Sequence, residues 1–240
     1  LFIGSTRNDS LTAYDTRTGK QKWRFFADGP VRFAPIVADG LVVFGADDGS
    51  VYSLDASTGR LKWKFRAAPA DRKVLGNDRL ISVWPVRGGP VLDGKLVRFV
   101  AGVWPFEGAF LYTLDLHTGR PPAERSAPTA LHAIHTLKDL TPQGYLALTG
   151  SRLYIPCGRA VAACLDLKTN QFLSHTYSTS ASTNYHVVAQ GRWLFHGSIN
   201  FDTSTKTTVP GSGRTPVVTA TSAVFGEGGQ VVSYDLEHPT

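Results

Sequence analysis

The side chains best suited to chemistry in this 240-residue chain are two Trp-Pro pairs, a His-x-x-His pair, two cysteines and six aspartates in similar settings. Trp84 in "SVWPV" and Trp104 in "GVWPF" offer flat indoles that could line a ligand pocket, and they are the candidate cofactor-binding residues. At strand or loop edges the same pairs serve equally as packing. His132, His135 and Asp139 in "LHAIHTLKDL" have a spacing that could ligate a metal on a helical turn. A zinc site needs three or four placed ligands with supporting partners, and no third histidine is near in sequence. No metal ligand is therefore assigned. His117, His175, His186 and His196 fall in turns or at strand ends and read as surface or satisfied histidines.

Nucleophilic chemistry finds no signature either. Ser, His and Asp are plentiful, but no G-x-S-x-G elbow occurs, so no catalytic residue is nominated. "GADDGS" resembles part of a calcium loop but lacks the ligand series and closing Glu, and it reads better as an Asp-Gly hairpin turn. Cys157 and Cys164 lie in "YIPCGRAVAACLD". With Gly158-Arg159-Ala160 as the turn, Cys157 faces Val161 and Cys164 lies about three residues on. At about 3.3 Å per residue, that offset exceeds the roughly 7 Å a disulfide tolerates between Cα atoms. Two separate buried thiols are expected, which leaves the redox compartment open.

The elements that must carry these residues are short apolar runs broken by Gly, Asp, Asn and Pro, the pattern of many antiparallel strands. Two repeats emerge. One is a hairpin, seen in "PIVADGLVVFG" (35–45), "PVLDGKLVRFVAG" (90–102), "LALTGSRLYIPCG" (146–158), "HVVAQGRWLFHG" (186–197) and "PVVTATSAVFGEG" (216–228). The other carries Asp15, Asp55, Asp115, Asp166, Asp202 and Asp235, at spacings of 40, 60, 51, 36 and 33 residues. These scatter around the length of one four-stranded propeller blade. In "RLKWKFR", Leu61, Trp63 and Phe65 alternate with Lys62, Lys64 and Arg66, as on a strand with one buried face. Such sheets must stack on copies of themselves, which predicts an all-β propeller of four-stranded antiparallel blades. The Asp carboxylate is expected to accept N–H bonds from the turn that follows, and the Gly to supply its positive φ.

Charge and composition remove some classes. The formal charge is +6, but the basic residues are scattered among apolar ones, so no nucleic-acid surface is expected. No apolar run approaches the length of a membrane span. There is no methionine, even at position 1, and "LFIGS" reads as strand interior, so the chain is expected to be a fragment or processed piece whose targeting segment is out of view.

At the Asp-bearing segments the chain resembles the pyrroloquinoline-quinone (PQQ) repeat family, whose tryptophan-docking motif runs A-x-D-x-x-T-G-x-x-x-W. "AYDTRTGKQKW" matches every fixed position, and "SLDASTGRLKW" all but the first. Later copies decay: the Trp becomes Ala123 or Ser174, and the Gly becomes Asn170 or Lys206. The resemblance implies that Trp23 and Trp63 dock between blades, and that residues 1–240 form one PQQ-like propeller domain. That domain would begin and end within blades and hold about six blades of a seven- or eight-bladed ring. It also implies an exported, periplasmic setting in a bacterium. The stretch from "FRAAPADRKVLGNDRLISVWPV" to "LYTLDLHTGR" is similar to that of large bacterial propeller proteins of this type.

Function is not settled by the resemblance, because the family holds quinoprotein alcohol and glucose dehydrogenases as well as non-enzymatic propellers. The dehydrogenases stack PQQ between a tryptophan and a disulfide of adjacent cysteines, bind Ca²⁺ through carboxylate and amide oxygens, and use an Asp as base. This chain has no adjacent cysteines. The expectation is a non-catalytic binding or scaffold module whose loops meet a protein, glycan or small ligand. The alternative is a divergent PQQ-dependent dehydrogenase with cofactor residues lost or outside the segment. The insertions at 67–83, 103–109, 120–145 and 203–215 interrupt the repeat, and "VWPFEG" and "STKTTVPGSGR" within them mix aromatic or basic groups with Gly and Pro. Loops on a rigid scaffold are where binding surfaces form.

Overall fold

The computed structural model describes residues 1–76, 78–122, 129–130, 140–158, 160–174, 185–197, 199–203, 207–208, 216–227 and 229–237. It falls into two compact units, Leu1–Pro142 and Gln143–Thr240. The ladders between consecutive strands are antiparallel.

In the first unit, β1 (Phe2–Ser5), β2 (Ser10–Tyr14) and β3 (Gln21–Phe26) form one sheet in that order. The second sheet runs β4 (Ile36–Ala38), β5 (Leu41–Gly45), β6 (Ser50–Asp55) and β7 (Leu61–Arg66). A separate hairpin, β8 (Lys73–Gly76) and β9 (Arg79–Ser82), precedes the third sheet. That sheet contains β10 (Val86–Asp93), β11 (Leu96–Ala101), β12 (Phe110–Asp115) and β13 (Thr129–Ala130). The second unit opens with β14 (Gly144–Tyr145). Its sheets are β15 (Ala147–Thr149) to β18 (Gln171–Ser174) through β16 (Arg152–Cys157) and β17 (Ala160–Asp166); β19 (Val187–Gln190) to β22 (Thr207–Thr208) through β20 (Trp193–His196) and β21 (Ile199–Asp202); and β23 (Val217–Val218), β24 (Ser222–Glu227) and β25 (Gln230–Asp235). All five expected hairpins are present.

The Asp-bearing turns form as their chemistry dictates. Asp15 Oδ1 accepts from the backbone N–H of Arg17 and Thr18, at 3.0 and 2.9 Å. Asp55 does the same with Ser57 and Thr58, and Asp115 with His117 and Thr118. Gly19, Gly59 and Gly119 then take φ of 69°, 72° and 65°. Where the repeat has lost its glycine, Asn170 holds φ 58°, a conformation that asparagine tolerates better than most residues.

The core lies between sheets, because each sheet alone leaves an apolar face open. Trp23 on β3 sits on the turn of the second sheet: its Nε1 donates to Ala56 O at 3.1 Å, and a Cβ on Gly59 would fall 2.6 Å from its ring. Trp63 on β7 repeats this on the third sheet, donating to Leu116 O at 2.9 Å and lying against Gly119. Two residues on, Phe25 meets Phe44 and Tyr52 edge-on, and those two rings stack at 5.3 Å. Phe65 meets Phe99 and Tyr112 in the same way, and that pair stacks at 5.4 Å. Tyr112 also donates its hydroxyl to Ala67 O, and burial pushes its pKa up to about 12.

Two expectations need correction. The alternation of "RLKWKFR" is broken by a β-bulge, since Ser53 pairs with Trp63 but Leu54 pairs with Leu61. Lys62 is the extra residue, and Leu61 is left 48 % exposed instead of sharing the buried face. The same slip occurs at Lys22 and Leu173, so the bulge belongs to the repeat. The turn after Cys157 is also one residue tighter than expected, with Cys157 opposite Ala160 and Cys164 opposite Tyr154. Both cysteines are buried and neither is in a disulfide, as expected.

Gly59→Ala and Gly119→Ala each combine left-handed strain with a clash against an indole, and should cost about 2–4 kcal/mol in urea denaturation. Gly40→Ala and Gly94→Ala, at positive φ but facing open space, should cost only about 1 kcal/mol.

The turn N–H groups hold the carboxyls of Asp15 and Asp115 below the ordinary 3.8, led by Thr18 and Thr118 respectively. Their contribution to stability is therefore complete above pH 4–5 and lost as pH falls below that range. The Asp15→Asn/Asp115→Asn variant, which cannot titrate there, should show a shallower fall in melting temperature between about pH 5 and pH 2.

Candidate functional site

At the end of the second sheet opposite the Asp-Thr-Gly turns, the β5–β6 turn carries Ala46, Asp47, Asp48 and Gly49. Gly49 takes φ 83°, and Asp48 Oδ1 accepts from Ser50 N at 3.1 Å, so "GADDGS" is a hairpin turn. Asp48 is also tied to the Tyr52 hydroxyl at 2.8 Å. Asp47 joins three segments. Its N–H donates to Pro30 O, its carbonyl accepts from Ser82 N, and the neighbouring Ala46 O accepts from Val86 N.

The Asp47 carboxylate is fully buried and receives two guanidinium groups. Arg32 Nε donates to Oδ2 at 2.6 Å, while Arg87 binds in the bidentate manner, Nε to Oδ1 at 3.1 Å and Nη2 to Oδ2 at 2.9 Å. Fork-to-carboxylate pairing is the stronger geometry and fixes β10 to the β5–β6 turn. Residue type singles out neither arginine, and Asp47 reads from sequence only as part of the "GADDGS" turn. A signal existed: "PVRFAPIV" at 30–37 and "PVRGGPVL" at 85–92 are one motif, placing Arg32 and Arg87 at equivalent positions.

Beside this cluster the insertions at 67–83 and 103–109 meet. Arg72 forms an ion pair with Glu107 and lies 5.2 Å from the Trp84 ring, and Trp84 Nε1 donates to Glu107 O at 2.7 Å. Trp84 is buried with Ala68 and Val83, and Trp104 packs half-buried against that cluster. The two candidate indoles are thus brought together, Trp84 inside and Trp104 at its margin. Phe106, at the tip of the same turn, is 82 % exposed. His132, His135, Asp139 and His175 lie outside the described residues, as does most of 120–145 and 203–215. His117 contacts Asp39 at 3.2 Å, His186 stacks on Tyr145, and His196 is buried with Nδ1 accepting from Ala162 N.

PQQ and Ca²⁺ do not fit these residues. Trp84 has Arg72 against its ring and its N–H committed, Cys157 and Cys164 are not adjacent, and Asp47 is taken up by arginines. Among the described residues no three His, Cys, Asp or Glu side chains converge as ligands. No helix of the described chain is long and apolar enough to cross a membrane.

Repeated sheets with an Asp-held turn at one end and an indole seated on the next sheet's glycine define a class of repeat protein. The family profile described as outer membrane protein assembly factor BamB matches residues 1–209. The chain belongs to this PQQ-repeat, BamB-like β-propeller family. It is similar to BamB of Burkholderia pseudomallei (strain K96243), 29 % identical over 155 residues, covering 64 % of this chain and 36 % of that protein. It is also similar to the dehydrogenase subunit of the quinone alcohol dehydrogenase of Gluconobacter oxydans (strain 621H), 27 % identical over 132 residues, covering 50 % and 17 %. The chain therefore spans about a third or less of the curated relatives it matches. Among solved structures, BamB from Moraxella catarrhalis aligns with a TM-score of 0.59 at 16 % identity, covering 98 % of this chain and 72 % of that one. A europium-containing methanol dehydrogenase aligns with a TM-score of 0.57 at 14 % identity, covering 96 % and 52 %. These structural likenesses concern the fold alone.

Removing the shared acceptor should be the most damaging single change here. Asp47→Ala strands the buried end of Arg87 and should cost about 3–5 kcal/mol in urea denaturation at neutral pH, whereas Asp71→Ala, in an exposed ion pair with Arg66, should be close to neutral.

Proposed function

We propose that the chain is part of a β-propeller that works by binding: a scaffold domain of an exported, periplasmic bacterial protein whose loop end meets a protein, glycan or small ligand. The six larger sheets among the described residues are read as blades of a seven- or eight-bladed ring, with residues 1–240 as one propeller domain. The observation that carries the reading is the insertion layer between the second and third sheets. Leu75 and Leu80 stand opposite each other on the β8–β9 hairpin, 72 % and 68 % exposed, and Phe106 projects from the neighbouring turn. Arg79 ties the hairpin to Thr6 O and Arg7 O, and the Arg72–Glu107 pair ties its root to the other insertion. Exposed apolar groups held on a rigid frame suit an interaction surface. The poor fit of PQQ to Trp84 and the cysteines favours binding over quinone oxidation.

Two measurements on the complete protein test this. A photo-crosslinking residue at Phe106 should trap one specific partner, and Leu75→Ser/Leu80→Ser should lose it without a change in melting temperature. Titration with PQQ and Ca²⁺ should give no absorbance change and no dye-linked alcohol oxidation; turnover would replace this reading with the oxidoreductase one.

A further inference from the structure

Arg32 and Arg87 occupy equivalent places in successive repeats, but only one of them has a partner of its own. Val86, which precedes Arg87, donates its N–H to Ala46 O at 3.1 Å and lies against Gly45, where a Cβ would fall 2.3 Å from Val86 Cγ1. Val31, which precedes Arg32, donates to Ser5 O at 3.3 Å and lies against Gly4, where a Cβ would fall 2.8 Å from Val31 Cγ1. Arg32 therefore stands to the first sheet as Arg87 stands to the second. The residue after Ala46 is Asp47, which takes the Arg87 fork. The residue after Ser5 is Thr6, which is exposed and has no carboxylate.

The consequence is a surplus guanidinium. Arg32 turns back to share Asp47, using Nε alone among its hydrogen-bonding groups within the described residues. Its side chain is 24 % exposed, so the terminal Nη groups of a planar fork remain for a ligand. Two guanidinium groups on one buried carboxylate leave one positive charge in excess, in surroundings of low dielectric where an anion is attracted more strongly than in water. Arg79 and Arg7 beside the same β1–β2 turn reinforce that sign; Asp9 offsets one of them.

We propose that the space beside Thr6 and Arg32, where the second repeat carries its aspartate, is a carboxylate-binding site. The ligand's carboxylate takes the place of the missing Asp and receives the Arg32 Nη groups. This goes beyond the apolar surface of the insertion layer and names a different ligand chemistry at the loop end. It rests on the reading of that end as a binding face, but not on Phe106 or Leu75.

The test uses succinate and a short blocked peptide with a central Asp, each against chloride at matched ionic strength, followed by thermal shift and calorimetry. A saturable response to either supports the site, and the tighter of the two tells a free metabolite-like acid from a protein carboxylate. Arg32→Gln should weaken it at least tenfold. Thr6→Asp supplies the missing carboxylate from within, so it should raise the melting temperature and abolish the response. The exposed position of Thr6 keeps that variant informative even if Arg32→Gln folds poorly. Equal responses in wild type and Thr6→Asp, or a chloride effect of the same size, overturn the proposal. Loss of Phe106 crosslinking leaves it untouched, and absence of carboxylate binding leaves the crosslinking reading untouched.

Discussion

Between the sheets of the first unit, the decisive constraint is the seat of an indole on a glycine. The turn that follows Asp55 needs a positive φ at its fourth residue, Gly59, and glycine meets that need with no Cβ in the way. The bare Cα then becomes the floor on which Trp23 of the preceding sheet rests, and Gly119 does the same for Trp63. One residue thus solves a local backbone problem and a packing problem together. The indole N–H reaches a carbonyl of the same turn, so the contact has a direction as well as an area. Once it is made, the side chain two residues further along is delivered edge-on to the stacked pair of the next sheet. The Asp carboxylate supports this from beneath by holding the turn rigid through its N–H bonds.

Much of this was readable from residue types. Asp, Thr and Gly at fixed spacing state a turn, and their recurrence states a stack. The bulge was not readable, because Lys22, Lys62 and Leu173 share no side-chain chemistry; what they share is a place seven residues after the Asp of the turn. A bulge is a property of register between two strands, and a periodicity count on one strand cannot contain it. The aromatic triads were hidden for a similar reason. Phe25, Phe44 and Tyr52 are separated by up to 27 positions, and only the docking of Trp23 makes them neighbours.

The loop end shows a sharper form of the same limit. Trp84 and Trp104 drew attention because indoles are versatile, and the fold does bring them together, but it spends Trp84 on packing and on a bond to Glu107 O. Asp47 reads only as part of "GADDGS", a partial calcium loop better taken as a hairpin turn, and an Asp-Asp-Gly turn accounts for itself. Its burial under two arginines depends on the loops before β4 and β10 arriving at one turn, which no local window records. The repeated P-V-R-x-x-P motif was visible all along, yet its meaning required knowing which sheet each arginine reads.

That dependence explains why repeat decay is informative here. When a change touches the backbone shape of a repeat's own turn, as the φ at Asn170 does, it is absorbed locally, since asparagine adopts the same φ. When the lost residue served the next repeat, the partner is left behind with its chemistry intact. Thr6 in place of an aspartate is of the second kind. Its cost falls on Arg32, a charged group that cannot shed its proton and so must find another anion. It takes half of Asp47, and among the described residues the rest of its fork then has no partner. In a protein assembled from near-copies, the positions worth examining for function are therefore those where one copy has kept a residue whose counterpart the neighbouring copy has discarded.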